Sequence, residues 1–562
     1  MRAPVQRASA AAFPAAFAAA FGLLFACWLY GAAVIDPRSA GWLLHDDSAQ
    51  HYLGLVYFLN QPWHWPPGLI LHFGDEPTSV VFTDSIPLLA FPSKLAGIAG
   101  RWQYFGIWIA ACHALAGWFG ARLLQRLGTS TAVAAIGALF FVVSPAILLR
   151  AYGHESLMGQ FLVIAALERS LRLEWRLRGW LVLAVVALLV HAYLATMVLA
   201  LAGACAIASW VREEASAAQL AAHAAVGFAV LAVVAWLAGY FVGAGDFVAL
   251  GYGHFSANLL TWIDPMDWAA FNRFWGREVP YAREWSRFMP AQQQATSGQY
   301  EGFAYLGAGM LLLVAVAALG ALWRKSRAET AVPRANFSWA IAACVAMFLF
   351  ALSTRPTIGA VTLAHLPVPA ALEHLLGAYR AGGRFVWPLT YLLMAWAISR
   401  SSSTRAGLGL VALAFAIQCA DLAGKAHEFR TRFRQRAPEV ASADTIAQWR
   451  SLLARCPVVE MVSAKHPGEG WVGPAIAAGE SGALFTPAPT ARYSQQLEVQ
   501  RLAHVEALLR SGSWRRDAIY FLAPPLPPGD SVAGIAAALP SGMHHMKIGT
   551  SDIVFDAHCA GT

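Results

Sequence analysis

The densest group of proton-transferring side chains in this sequence is Leu44-His45-Asp46-Asp47-Ser48-Ala49-Gln50-His51-Tyr52. Adjacent carboxylates repel, so Asp46 and Asp47 need a proton, a cation or a basic partner nearby. Either one, if charged and reachable, could take a proton from a hydroxyl group. The same pattern also suits a loop that starts a helix, with Asp47 or Ser48 as its N-cap. Further along lie Asp84, between Thr83 and Ser85, and the run Arg150-Ala151-Tyr152-Gly153-His154-Glu155, whose His154 and Glu155 can line a cleft or cap a helix. Tyr379-Arg380-Ala381-Gly382-Gly383-Arg384 adds two guanidinium forks of the shape that matches a phosphate, beside glycines that let backbone approach closely. The plainer reading of Arg384 is a side chain snorkelling to a membrane surface.

These groups sit in an unusually apolar chain. Of its 562 residues 58% are hydrophobic and only 13% charged, and the mean hydropathy is +0.50. Soluble proteins are about 45–50% apolar and about 25% charged, so a soluble enzyme, a disordered chain and a disulfide-rich module are excluded. The net charge of +8 is carried by arginines beside apolar runs rather than by a stripe with stacking aromatics, which argues against nucleic acid as a partner. No His-Glu-Xaa-Xaa-His, Walker A or Gly-Xaa-Ser-Xaa-Gly motif is present, so metalloprotease, ATPase and serine-hydrolase chemistry have no support.

Apolar runs of the roughly 20 residues that cross hydrocarbon recur from Phe13 to Asp421. Spans are expected at 13–35, 104–123, 131–149, 157–167, 221–242, 303–323, 337–352, 385–399 and 407–423. The first could instead be a cleaved signal peptide, but its apolar length favours a retained helix. The run from Gly179 to Val211 is about 33 residues, or about 50 Å as one helix, so it is read as two helices turning near His191–Tyr193. His191 itself is expected to be a core histidine. The total is about eleven transmembrane helices.

Arginine placement orients them. Arg169, Arg172, Arg176 and Arg178, and then Arg324, Lys325, Arg327, Arg334, Arg400 and Arg405, mark the cytoplasmic side. Three long segments, 36–101, 243–302 and 353–384, then lie outside, and they hold the residues named above. The first also carries Trp63 and Trp65, read as interfacial aromatics. The second, with Trp262, Trp268, Trp285 and Tyr300-Glu301, is expected to be either a substrate-covering loop or a packed lid. After Lys425 apolar runs shorten, and residues 426–562 read as a small soluble α/β domain delivered outside, following a transmembrane domain over 1–425. It is expected to hold strands at 457–462 and 518–523 and helices at 445–453 and 502–509. Five of the seven cysteines lie in apolar spans, while Cys456 and Cys559 stand near the two ends of this domain and are expected to form a disulfide in an oxidising compartment.

The membrane half, roughly residues 10–425, resembles the GT-C superfamily of membrane glycosyltransferases: many transmembrane helices, and a carboxylate motif in a large first outer loop soon after helix one, here Asp46-Asp47. The resemblance implies a sugar passed from a polyprenyl-phosphate donor to a cell-envelope acceptor on the periplasmic face of a bacterial inner membrane. Asp46 or Asp47 would be the general base, Arg384 and Arg380 would bind the phosphate, and His51, Asp84, His154 and Glu155 would line the substrate cleft. It implies no obligate metal, with Mg²⁺ or Mn²⁺ on the aspartates as the alternative for a pyrophosphate donor. The rival readings are a transporter or flippase of an envelope saccharide, which should carry charges near the bilayer midplane, and a non-catalytic membrane scaffold, in which Asp46 and Arg384 would not converge.

Overall fold

The computed structural model describes residues 3–172, 175–243, 251–274, 279, 282–323, 334–369, 372, 376–402, 406–435, 441–464, 469–486, 488 and 495–561. Arg324, Lys325, Arg327 and Arg405, four of the charges that orient the chain, lie outside them.

The protein is mostly helical. Among the described residues, six helical stretches are long and apolar enough to cross a membrane: Ala12–Tyr30, Phe105–Arg126, Thr131–Leu149, Ala192–Val211, Ala217–Ala238 and Gly407–Arg432. Shorter apolar helices cover Leu177–Val190, Ala308–Leu322 and Asn336–Leu352. Local chemistry sets several of their ends. Ser130 and Ser216 each accept a hydrogen bond from a backbone N–H three residues on, the usual N-cap geometry. The 179–211 run does divide at His191, which is extended (φ −167°, ψ 138°) and caps the second helix by accepting the Tyr193 N–H at its Nδ1. Ala217–Ala238 buries only Ala238 against the rest of the chain, the exposure expected of a helix that faces lipid.

Where it is described, the segment 243–302 packs against the helical body. Trp268 and Trp285 are buried in it, Trp268 donates its indole N–H to Glu428, and the Arg283 backbone N–H donates to the same carboxylate. Tyr305 and the Ala308 N–H meet Asp421 in the same way. Asp421 and Glu428 belong to the helix Gly407–Arg432, which therefore carries on past the expected 425/426 domain boundary to Arg432. The buried Lys425–Glu428 pair, 2.8 Å apart, keeps that stretch inside the packed body, so the join to the C-terminal unit follows the helix.

That unit is a five-stranded mixed sheet in the order Leu484–Thr486, Val458–Val462, Ala518–Leu522, Ser551–Asp556, Met543–Ile548; the first three strands run parallel, and Ser551–Asp556 pairs antiparallel with both of its neighbours. Helices Ala443–Leu453, Val472–Ser481 and Gln495–Ser511 accompany it. Cys456 and Cys559 are disulfide-bonded, with Cα atoms 5.6 Å apart. The sheet is joined to the segment 36–101: Gly74 N–H donates to Phe485 O (2.9 Å), Phe485 N–H donates to His72 O (3.0 Å), and Arg101 pairs with Glu480 at 2.6 Å. The helix bearing Glu480 packs on the helix Asp46–Asn60.

Candidate active site

The helix Asp46–Asn60 opens with its two aspartates in the first turn, where the positive end of the helix dipole favours them. The pair then diverges. Asp46 sits at φ 51°, in the left-handed region, and its Oδ2 accepts a hydrogen bond from Arg432 Nη2 at 3.1 Å. Asp47 has its side chain 59% exposed, and its Oδ2 lies 3.9 Å from His154 Nε2. Gly153 makes this approach possible: it has φ 105°, and a Cβ there would stand 3.2 Å from Asp47 Cβ.

Below the helix mouth is a buried polar chain. Glu155 accepts from Ser48 Oγ (2.5 Å) and pairs with His51 Nδ1 (2.7 Å), while the other face of His51, Nε2, lies 3.6 Å from Asp84 Oδ2. Asp84 Oδ1 is in turn 3.5 Å from His191 Nε2. The turn holding Asp84 is clamped to the helix by Ser85 Oγ donating to His51 O at 2.7 Å. Gly54 allows the turn in, since a Cβ at that position would lie 2.2 Å from the Thr83 side chain.

A second buried cluster adjoins it. Arg384 donates through Nε (2.9 Å) and Nη2 (2.7 Å) to the two oxygens of Glu301, a fork-on-fork pair. Arg150 donates through Nη1 to the same carboxylate (2.6 Å) and through Nη2 to the Glu301 backbone oxygen (2.9 Å). The guanidiniums lie over aromatic faces, Arg384 on Tyr193 and Arg150 on Trp387. His154 links the clusters, with Nε2 3.8 Å from Glu301 Oε1 and its ring stacked on His51 at 6.3 Å.

Charge state follows from this packing. Burial opposes a charged Glu301, but Arg384 and Arg150 outweigh it and hold its carboxyl well below the usual range. Burial, aided by Arg384, Arg150 and His51 against the pull of Glu301, holds His154 well below an ordinary histidine. His51 goes the other way: burial disfavours its charge, yet the Glu155 hydrogen bond and the Glu155, Asp84 and Asp47 charges raise its pKa. The arrangement thus presents an exposed carboxylate beside a neutral imidazole, backed by one carboxylate shared between two guanidiniums, which leaves one positive charge in surplus.

Residues 19–423 match the family described as a domain of unknown function, DUF6311. The chain belongs to the DUF6311 family. No curated protein matches it. Among solved structures it is similar to the apo crystal structure of the Archaeoglobus fulgidus oligosaccharyltransferase, at 11% identity and a TM-score of 0.38. That match covers 84% of this chain, which spans 64% of the archaeal one.

In this DUF6311 member, Asp47, His51, Asp84, His154, Glu155 and Arg384 share one network, and Asp46 stands at its edge with Arg432. Arg384 is not an open phosphate fork, because Glu301 occupies it; Arg380, four residues earlier, is exposed and stacks on Phe255 at 4.8 Å. His191 is not a plain core histidine, since it reaches Asp84. Arg150 and Glu301, assigned no site role from the sequence, belong to the same network. Each is a charge at the border of an apolar stretch, the signal that could mark them. Among the described residues Asp46 and Asp47 join no group of three ligand atoms close enough to hold an ion; the group that meets that test is Cys456, His558 and Cys559, whose two sulfurs are bonded to each other.

Proposed function

We propose that this protein is a membrane glycosyltransferase that moves a sugar from a polyprenyl-phosphate donor to a cell-envelope acceptor, with Asp47 as general base. The observation that supports this reading best is the meeting of exposed Asp47 with His154 at the edge of the Arg150–Glu301–Arg384 cluster. In the proposed reaction the acceptor oxygen attacks the anomeric carbon as its proton passes to an Asp47 oxygen. The carbon–oxygen bond to the phosphate breaks, and the lipid phosphate leaves with the electron pair.

The leaving phosphate gains negative charge, which favours nearby positive groups fixed in advance. Arg380 supplies a reachable guanidinium, while Arg384, held by Glu301, positions the segment between them and contributes field. His154, neutral, accepts or donates a hydrogen bond to orient the hydroxyl without competing for its proton. Asp46 already has Arg432 as its cation, so the reading includes no obligate metal.

The C-terminal sheet packs on the first outer segment, which supports placing both on one face. We assign that face to the periplasm and the sheet to acceptor positioning. The test is mass spectrometry of lipid-linked sugars and envelope glycans in a deletion strain. Loss of one sugar from a glycan with accumulation of its lipid-linked donor supports the transferase. A complete glycan retained on the wrong side of the membrane supports a flippase instead.

A further inference from the structure

Away from the Asp47 network lies a cleft of about 650 Å³ whose lining shares no residue with it. It forms where the first span ends at Tyr30, where the outer segment turns through Arg38–Leu44, and where the Gly407–Arg432 helix runs out at Phe433–Gln435. Its volume is in the range of sites that hold small organic ligands, about 300–1,000 Å³.

The lining is amphipathic. Tyr30, Trp42, Leu44, Phe433 and Ile476 give an apolar wall, with Phe433 edge-on to both Tyr30 and Trp42. Arg38, Arg101 and Arg434 give three guanidiniums, and the described lining contains no carboxylate. Arg38 and Arg434 are exposed. Arg101 spends its Nε on Glu480, outside the lining.

Two buried donors in this lining are unsatisfied. Tyr52 Oη and Trp42 Nε1 have no hydrogen-bond partner, although their residues are 0% and 9% exposed. Neither atom has accessible surface, so neither faces the open cleft. The charged groups of the lining are guanidiniums, and with Arg101 held by Glu480 the two exposed ones, Arg38 and Arg434, suit an acceptor-rich anion. The apolar wall beside the end of the first span suits an apolar tail.

We propose that this cleft binds the phosphate of an anionic amphiphile, with the exposed Arg38 and Arg434 on its phosphate and the Tyr30–Trp42–Phe433 wall against its apolar part. The site is independent of the transferase reading and stands or falls by binding alone. A phosphate here can come from a bilayer phospholipid or from a free phosphate group, and the test separates the two.

The experiment is native mass spectrometry of the full-length protein released from nanodiscs of mixed phosphatidylglycerol and phosphatidylcholine. Wild type is expected to retain phosphatidylglycerol selectively. An Arg38→Ala/Arg434→Ala variant should bind it about tenfold more weakly, the scale of a lost charge-assisted contact. The change is mild for folding, since both arginines are exposed. Competition by millimolar inorganic phosphate would identify a site for the phosphate group as such, and failure to compete would identify the lipid as the ligand. Equal retention of phosphatidylglycerol by wild type and the arginine variant, or no preference for it over phosphatidylcholine, would overturn the proposal.

Discussion

Glu301 and Arg384 form a two-bond fork in the protein interior, 2.9 and 2.7 Å, although 83 residues separate them, and Arg150 closes on the same carboxylate from a third segment. Replacing Glu301 with Gln would leave two guanidiniums buried around a neutral amide. Removing one partner of a buried pair typically costs about 3–5 kcal/mol. We predict a clear fall in the thermal midpoint of Glu301→Gln in detergent, measured by intrinsic fluorescence. A midpoint equal to wild type would show that the cluster is not holding the three segments together.

The buried histidine chain predicts an alkaline weakness. His51 has a folded pKa raised above its ordinary value of about 6.5, so its pairing with Glu155 and Asp84 stabilises fully below that pH and is lost as pH rises through the folded value. Glu301 is depressed, so its contribution is present above its ordinary value of about 4.3 and fails only in acid. Above about pH 7.5, where the depressed His154 no longer titrates in the unfolded chain, thermal midpoints should decline with rising pH in wild type and flatten in His51→Gln. Parallel profiles would assign the decline to other groups.

Gly153 offers a test of how Asp47 is positioned. At φ 105° and with Asp47 Cβ close by, an alanine there is both strained and crowded. Gly153→Ala should therefore reduce transfer with little loss of folded protein, read as product per unit of protein surviving size-exclusion chromatography. Wild-type turnover in this variant would mean that Asp47 need not sit where it does.

Much of the site was legible because polar residues are conspicuous in an apolar chain. Asp46, Asp47, His51, Asp84, His154 and Glu155 stand out as titratable groups between long apolar runs, and the break at His191 follows from the length of its run. Pairings were not legible. Glu301 finds Arg150 across 151 residues, and His191 finds Asp84 across two segments, relations that no local pattern records. The C-terminal strands Val458–Val462 and Ala518–Leu522 are runs rich in Val, Ile and Phe and were readable, whereas Leu484–Thr486 is too short to signal and Met543–Ile548 is mostly exposed, with His544, His545 and Lys547 along it.

The disulfide carries its own prediction. Cys456 and Cys559 close a stretch with a sequence separation of 103, and loss of such a native bond typically costs about 2–5 kcal/mol. Cys559→Ser should make the C-terminal unit more sensitive to protease while leaving the membrane helices intact. In wild type, the pair should resist alkylation in non-reduced membranes. Ready alkylation there would contradict an oxidising location for this face.

The central claim is that one aspartate of the pair takes the proton. Asp47 is exposed beside His154, whereas Asp46 is held by Arg432. General-base contributions are about 10²–10⁴-fold. The most direct measurement is therefore sugar transfer by Asp46→Asn and Asp47→Asn, each complementing a deletion strain at matched expression, with glycans and lipid-linked sugars quantified by mass spectrometry. The account predicts loss of transfer and donor accumulation in Asp47→Asn, and substantial transfer retained in Asp46→Asn. Full transfer by Asp47→Asn would contradict it.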